Sequence, residues 1–80
     1  MNKLTVLRRK IDKIDEKIAN LLRKRAEKVI EIKKLKKSKK LPVTDYNRER
    51  EILDKLENDY EKAIFKKILL ESRKIQKKDR

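Results

Sequence analysis

Residues 4–35 read LTVLRRKIDKIDEKIANLLRKRAEKVIEIKKL, and their spacing decides the fold. Leu4, Leu7, Ile11, Ile14, Ile18 and Leu21 recur at alternating intervals of three and four, the apolar seam of a long helix. The next seam position is 25, and it holds arginine; apolar residues resume at Ile32 and Leu35. A seam excludes an unpaired charge because burying one is costly. Either the helix face holds an anion at Arg25, or the stripe drifts to Leu22, Ala26, Val29 and Ile30 and leaves Arg25 at a solvated edge. The spacing predicts a helix from about Asn2 or Lys3 to about Lys37. At 1.5 Å per residue it is roughly 50 Å long and needs a partner along its length.

The rest of the chain is short and polar. Its 80 residues are enough for one domain, taken here as residues 1–80. Hydrophobic residues make up only 36%, a marginal supply for a lone core, so the missing burial is expected from a second copy of the chain. There is no Gly, Cys or His, which excludes glycine-rich phosphate loops, thiol nucleophiles, imidazole bases and ordinary zinc sites. What remains open is chemistry done by charges and hydrogen bonds, with no cofactor and no metal expected. Charged residues reach 51% and the net charge is +13, which points to nucleic acid, an acidic membrane, anionic ligands or simply a solvated surface. No apolar run is long enough to span a membrane and no signal peptide is visible, so a cytoplasmic protein is expected.

After the first helix, Lys36-Lys37-Ser38-Lys39-Lys40 reads as a mobile basic loop, and Pro42 forbids helix continuation. A second helix is expected from Thr44 or Asp45, carrying Ile52, Leu53 and Leu56. Asn58-Asp59 is the turn before a third helix, from about Tyr60 to about Lys77. Its inner stripe is Ala63, Ile64, Ile68, Leu69 and Ile75, with Phe65 beside it. No strand pattern or internal repeat is present, and the fold class is all-α with a three-helix protomer.

Polar residues then appear on faces that should be apolar. Arg25 and Lys36 are eleven residues apart, only about 20° apart around a helix. Asp45, Arg48 and Glu49 form one cluster at i, i+3, i+4. Ser72 and Gln76 continue the line of Phe65, Ile68 and Leu69. For any single pair a solvated rim of salt bridges is a sufficient account. Neutral polar residues that extend a core stripe, however, need buried partners.

Taken together, these positions resemble the AroQ class of chorismate mutases, small all-helical dimers, over nearly the whole chain. The resemblance rests on residues 7–12 and 14–18, Leu21-Leu22, Arg25 and Lys36, Pro42-Val43-Thr44-Asp45, Arg48-Glu49-Arg50-Glu51, Phe65, Glu71-Ser72 and Gln76. The segment from Asp45 to Glu51 is its most specific part. It implies an intertwined homodimer that converts chorismate to prephenate by a Claisen rearrangement, on the route to Phe and Tyr. That reaction is unimolecular and needs no nucleophile, metal or proton shuttle. By resemblance, Arg25 and Arg8 of the partner subunit hold the substrate carboxylates. Lys36 meets the ether oxygen and a carboxylate, and Gln76 donates to that oxygen from the other side. Glu49 accepts the ring hydroxyl with Asp45 beside it, Arg48 supports that cluster, and Ser72 reaches the ring carboxylate. Ile32, Ile52 and Leu69 form apolar walls.

The trans role of Arg8 agrees with elementary geometry. Seventeen residues separate Arg8 from Arg25, about 25 Å along a helix and roughly 100° around it, too far to grip one small dicarboxylate from one chain. Two features depart from the family pattern: a shortened connection between the second and third helices, and Arg73 near a position where some relatives carry an apolar wall. The alternatives are isochorismate pyruvate lyase, which shares the fold, a basic nucleic-acid-binding module and a purely structural coiled coil. The full set of Arg, Lys, Glu, Ser and Gln favours the mutase. The basic residues are not gathered in a stripe and the three aromatics are not interleaved as a stacking platform, so no nucleic-acid or membrane partner is expected.

Overall fold

A computed structural model describes residues 2–78. Three helices follow one another: α1 (Lys3–Lys39), α2 (Tyr46–Asp54) and α3 (Asp59–Lys77). No strand occurs among the described residues. The 37 residues of α1 account for the 56 Å long axis of the molecule, since such a helix is about 55 Å long. α3 packs against both α1 and α2.

Each helix begins on a side chain that satisfies an orphan backbone donor. Asn2 accepts from the Thr5 amide, Asp45 from that of Arg48 and Asn58 from that of Glu61. At α3 the cap is reciprocal: Glu61 Oε1 accepts from the Glu57 amide at 3.0 Å, and Glu61 Oε2 from Asn58 Nδ2 at 2.9 Å. This capping box replaces the expected two-residue turn. α2 stops at Asp54, before Leu56, and residues 55–58 form the connection.

The basic run at the end of α1 is not a loop. Lysine is a good helix former and is favoured at a C-terminus by the helix dipole, so α1 continues through Lys39. It ends at Lys40, which takes the left-handed conformation (φ 57°) with its amide on Lys36 and Lys37 carbonyls. The Leu41 amide also bonds the Lys36 carbonyl at 2.8 Å. Pro42 lies just beyond this turn.

Burial is thin and lies where α3 meets the C-terminal half of α1. Among the described residues only Val29 and Leu69 are buried apolar residues, joined by the polar Ser72 and Gln76. Phe65, Ile68 and Ile75 are half-buried, whereas Ala63 and Ile64, expected in the same stripe, are exposed in the single chain. Of the drifting stripe, Ala26 and Val29 turn inward while Leu22 and Ile30 stay exposed in the single chain, and Arg25 is half-buried beside Ala26 and bonded to α3. The N-terminal seam, Leu4 to Leu21, is bare, with its six members 46–62% exposed. The radius of gyration is 16.2 Å, against about 12 Å for a compact domain of this length. The accessible surface is 7122 Å², roughly 2,000 Å² above that of a typical monomer of 9.7 kDa.

Asn58→Ala removes the acceptor that starts α3 and should cost about 1 kcal/mol. Thermal unfolding followed by circular dichroism should show a midpoint lowered by about 4–8 °C, with helical content at low temperature unchanged.

Candidate active site

The polar residues singled out on three helices surround one cavity of about 260 Å³, just below the ~300 Å³ lower end of small-molecule sites. α1 contributes Arg25, Lys28, Val29, Ile32 and Lys36. The 40–45 segment and α2 contribute Val43, Asp45, Arg48, Glu49 and Ile52, and α3 contributes Leu69, Ser72, Arg73 and Gln76. Every expected site residue lines this cavity except Arg8, which lies in the second turn of α1 outside it.

Two cross-links join α1 to α3. Arg25 Nη1 donates to Ser72 Oγ, and Ser72 Oγ donates its proton to the Ile68 carbonyl at 2.8 Å. The serine hydroxyl is thereby used within the protein, and it orients the guanidinium. Lys36 Nζ donates to Gln76 Oε1 at 3.0 Å and to the Val43 carbonyl at 2.8 Å. An ammonium has donors only, so the amide oxygen of Gln76 must face it, which leaves the NH₂ end of the amide as a donor. Lys36 also pins the 40–45 segment over the cavity mouth. Lys33 Nζ donates to the Lys78 carbonyl and ties the end of α3 to α1.

The α2 side is arranged differently from expectation. Asp45 is the helix cap, accepting the Arg48 amide at 3.0 Å. Arg48 turns to Glu51 at 3.6 Å in a solvent-exposed pair and does not hold Glu49. Glu49 is held instead by Arg73, whose Nη1 donates to both carboxylate oxygens, at 2.6 and 2.7 Å. The sequence marks Arg73 as unusual, but only the packing of α2 on α3 reveals its direction. Lys28 is a further lining residue without a sequence signal, and Val43, quoted above only as part of a motif, lines the cavity as well. Glu31, at 3.0 Å, pushes the Lys28 ammonium above its ordinary pKa, through its hydrogen bond first and then its charge.

Five cations among the lining residues face two carboxylates, with Val29, Ile32, Ile52 and Leu69 as apolar walls. The arrangement suits a small anion with an apolar body. Among the described residues no group of three or more acidic, His or Cys side chains gathers as for a metal. No described helix is long and apolar enough to cross a membrane.

Residues 7–77 match the chorismate mutase type II family. The chain belongs to that family. Over 55 residues, 69% of the chain, it is 44% identical to the bifunctional chorismate mutase/prephenate dehydratase of Escherichia coli (strain K12). Over 56 residues it is 43% identical to the bifunctional protein of the same name from Aquifex aeolicus. The chain spans only 14% and 16% of the lengths of these relatives. Among solved structures, a conserved hypothetical protein from Pyrococcus furiosus superposes with a TM-score of 0.88 at 42% identity, covering 96% of this chain and 99% of that one. With the short connection at residues 55–58, Ser72 and Gln76 still reach Arg25 and Lys36.

The Lys36–Gln76 bond predicts non-additive stability. Gln76→Leu alone leaves a half-buried ammonium short of an acceptor and should cost about 1–3 kcal/mol in denaturant unfolding. Adding Lys36→Met should recover much of that loss, because removing both partners leaves no unpaired group. Strictly additive losses would show that the two side chains are not coupled.

Proposed function

We propose that the chain is a chorismate mutase, acting on chorismate as a homodimer in which Arg8 of the partner subunit completes each site. The observation that carries the reading is the convergence of Arg25, Lys36, Asp45, Glu49, Ser72 and Gln76 from separate elements on one small cationic cavity. The family membership supports the same chemistry.

In this reading the protein supplies conformation and charge, not bond-making groups. Arg25 and Arg8 of the partner subunit hold the two substrate carboxylates so that the side chain folds over the ring. As the ether C–O bond breaks and the new C–C bond forms, negative charge grows on the ether oxygen. The Lys36 ammonium and the Gln76 amide NH₂ donate to that oxygen from opposite sides. In the free chain the two are hydrogen-bonded to each other, and the ether oxygen competes with that bond. Glu49 accepts the ring hydroxyl, with Asp45 and Arg48 at the same edge. Ser72 sets Arg25 and reaches the ring carboxylate by turning its proton from the Ile68 carbonyl to the ligand, and Ile32, Ile52 and Leu69 wall the apolar body. No metal or cofactor takes part.

The dimer is supported by what a single chain leaves undone. Its cavity holds Arg25 and not Arg8, and the apolar seam from Leu4 to Leu21 has no cover. The excess surface of roughly 2,000 Å² per chain is on the scale of obligate homodimer interfaces. An isologous pair of α1 helices would bury that seam and build two equal sites. A cytoplasmic location fits a pathway enzyme of this kind.

The test is loss of chorismate absorbance on mixing with the protein, with prephenate as product. Lys36→Ala should lower kcat by about two to three decades, the usual cost of one such donor, and raise KM far less. The exposed neighbours Lys37→Ala and Lys39→Ala should do little. Equal, modest losses for all three lysines would reduce the basic run to general attraction of a dianion.

A further inference from the structure

Arg73 lines the cavity yet has no part in the reaction as drawn above. One terminal nitrogen of its guanidinium bridges both oxygens of Glu49. The pair is shielded, with side-chain exposures of 26% and 20%, so solvent screens it less than the exposed Arg48–Glu51 and Lys28–Glu31 pairs. It also crosses between helices. α2 has no fully buried residue, its half-buried apolar residues are Ile52 and Leu53, and the helix packs on α3. The Arg73–Glu49 contact is thus the polar fixed point of α2 on its cavity side.

A lone carboxylate is a poor neighbour for a dianionic ligand, because like charges in a shielded site repel strongly. A carboxylate straddled by a guanidinium nitrogen is a different object. Its charge is offset, its plane is fixed, and lone pairs remain to accept a hydroxyl. We infer that Arg73 is a positioning residue of this site: it holds Glu49 in place as the acceptor for the ligand hydroxyl and cancels the repulsion between Glu49 and the ligand carboxylates. The inference rests on the chorismate mutase reading and deepens it. Arg73 touches Glu49 and not the reacting atoms, so its effect falls on substrate binding.

The experiment is a kinetic double-mutant cycle with chorismate on wild type, Arg73→Leu, Glu49→Gln and the double variant. Arg73→Leu alone should raise KM about tenfold or more and change kcat much less. Glutamine at 49 keeps a hydroxyl acceptor but carries no charge, so in that background Arg73→Leu should change KM by less than about threefold. Arg73→Lys, which keeps the charge but not the guanidinium geometry, should restore KM in part. Equal KM factors in both backgrounds would overturn the inference by assigning Arg73 directly to the ligand, and a silent Arg73→Leu would overturn it outright. Thermal unfolding of each variant separates a folding loss from a kinetic one. Should Arg73→Leu fail to fold, the double variant and Arg73→Lys still decide: a folded double variant with KM within about threefold of that of Glu49→Gln supports the coupling, and one about tenfold or more above it refutes it. A wild type that does not consume chorismate would sink the underlying reading itself, an outcome distinct from an active enzyme with an additive cycle.

Discussion

Two buried neutral polar side chains, Ser72 and Gln76, sit where α3 meets α1, and each is held by a cation projecting from the α1 face. A hydroxyl and an amide in that place cost stability unless they are hydrogen-bonded, and an inward cation costs more. Each therefore makes the other tolerable. No buried side-chain nitrogen or oxygen among the described residues lacks a partner. The pairing fixes how α3 lies on α1. α3 then carries α2, and Lys36 ties down the 40–45 segment through Val43. The cavity is the space these bonds leave open. Groups that hold the fold together are the groups proposed to meet the ligand, and a ligand that binds them competes with the protein's own hydrogen bonds.

Much of this was legible in the sequence, for identifiable reasons. The seam from Leu4 to Leu21 demands a long helix, and Asp45 and Asn58 are the residue types that start helices. Ser72 and Gln76 stood out because they extend an apolar stripe. What the sequence obscured was set by tertiary or cooperative effects. The lysine run 36–40 has the charge density of a loop, but its helix propensity and the left-handed turn at Lys40 carry the helix to Lys39. Nothing near Lys55 looks like a breaker. α2 ends there while the Asn58–Glu61 capping box starts α3. The partner of Glu49 could not be read at all, since Arg48, one residue away, is the nearer choice along the chain and Arg73 is chosen by packing.

The molecule is elongated and its longest apolar strip is bare, and the proposed dimer would cover that strip. In the proposed dimer, the seam that drives association and the arginine that completes the site lie on the same half of α1. Folding, association and catalysis would then depend on one surface. The family's chemistry suits such an economy, because a unimolecular rearrangement asks only for a shaped, charged enclosure.

The most direct test of the account is complementation between two inactive variants. Arg8→Ala and Arg25→Ala should each be nearly inactive alone. After subunit exchange, with the heterodimer verified by native mass spectrometry, one site carries both lesions and the other none. The account predicts that chorismate turnover returns toward half of the wild-type rate per heterodimer. Verified heterodimers that stay inactive would contradict it, because both arginines would then act from the same chain.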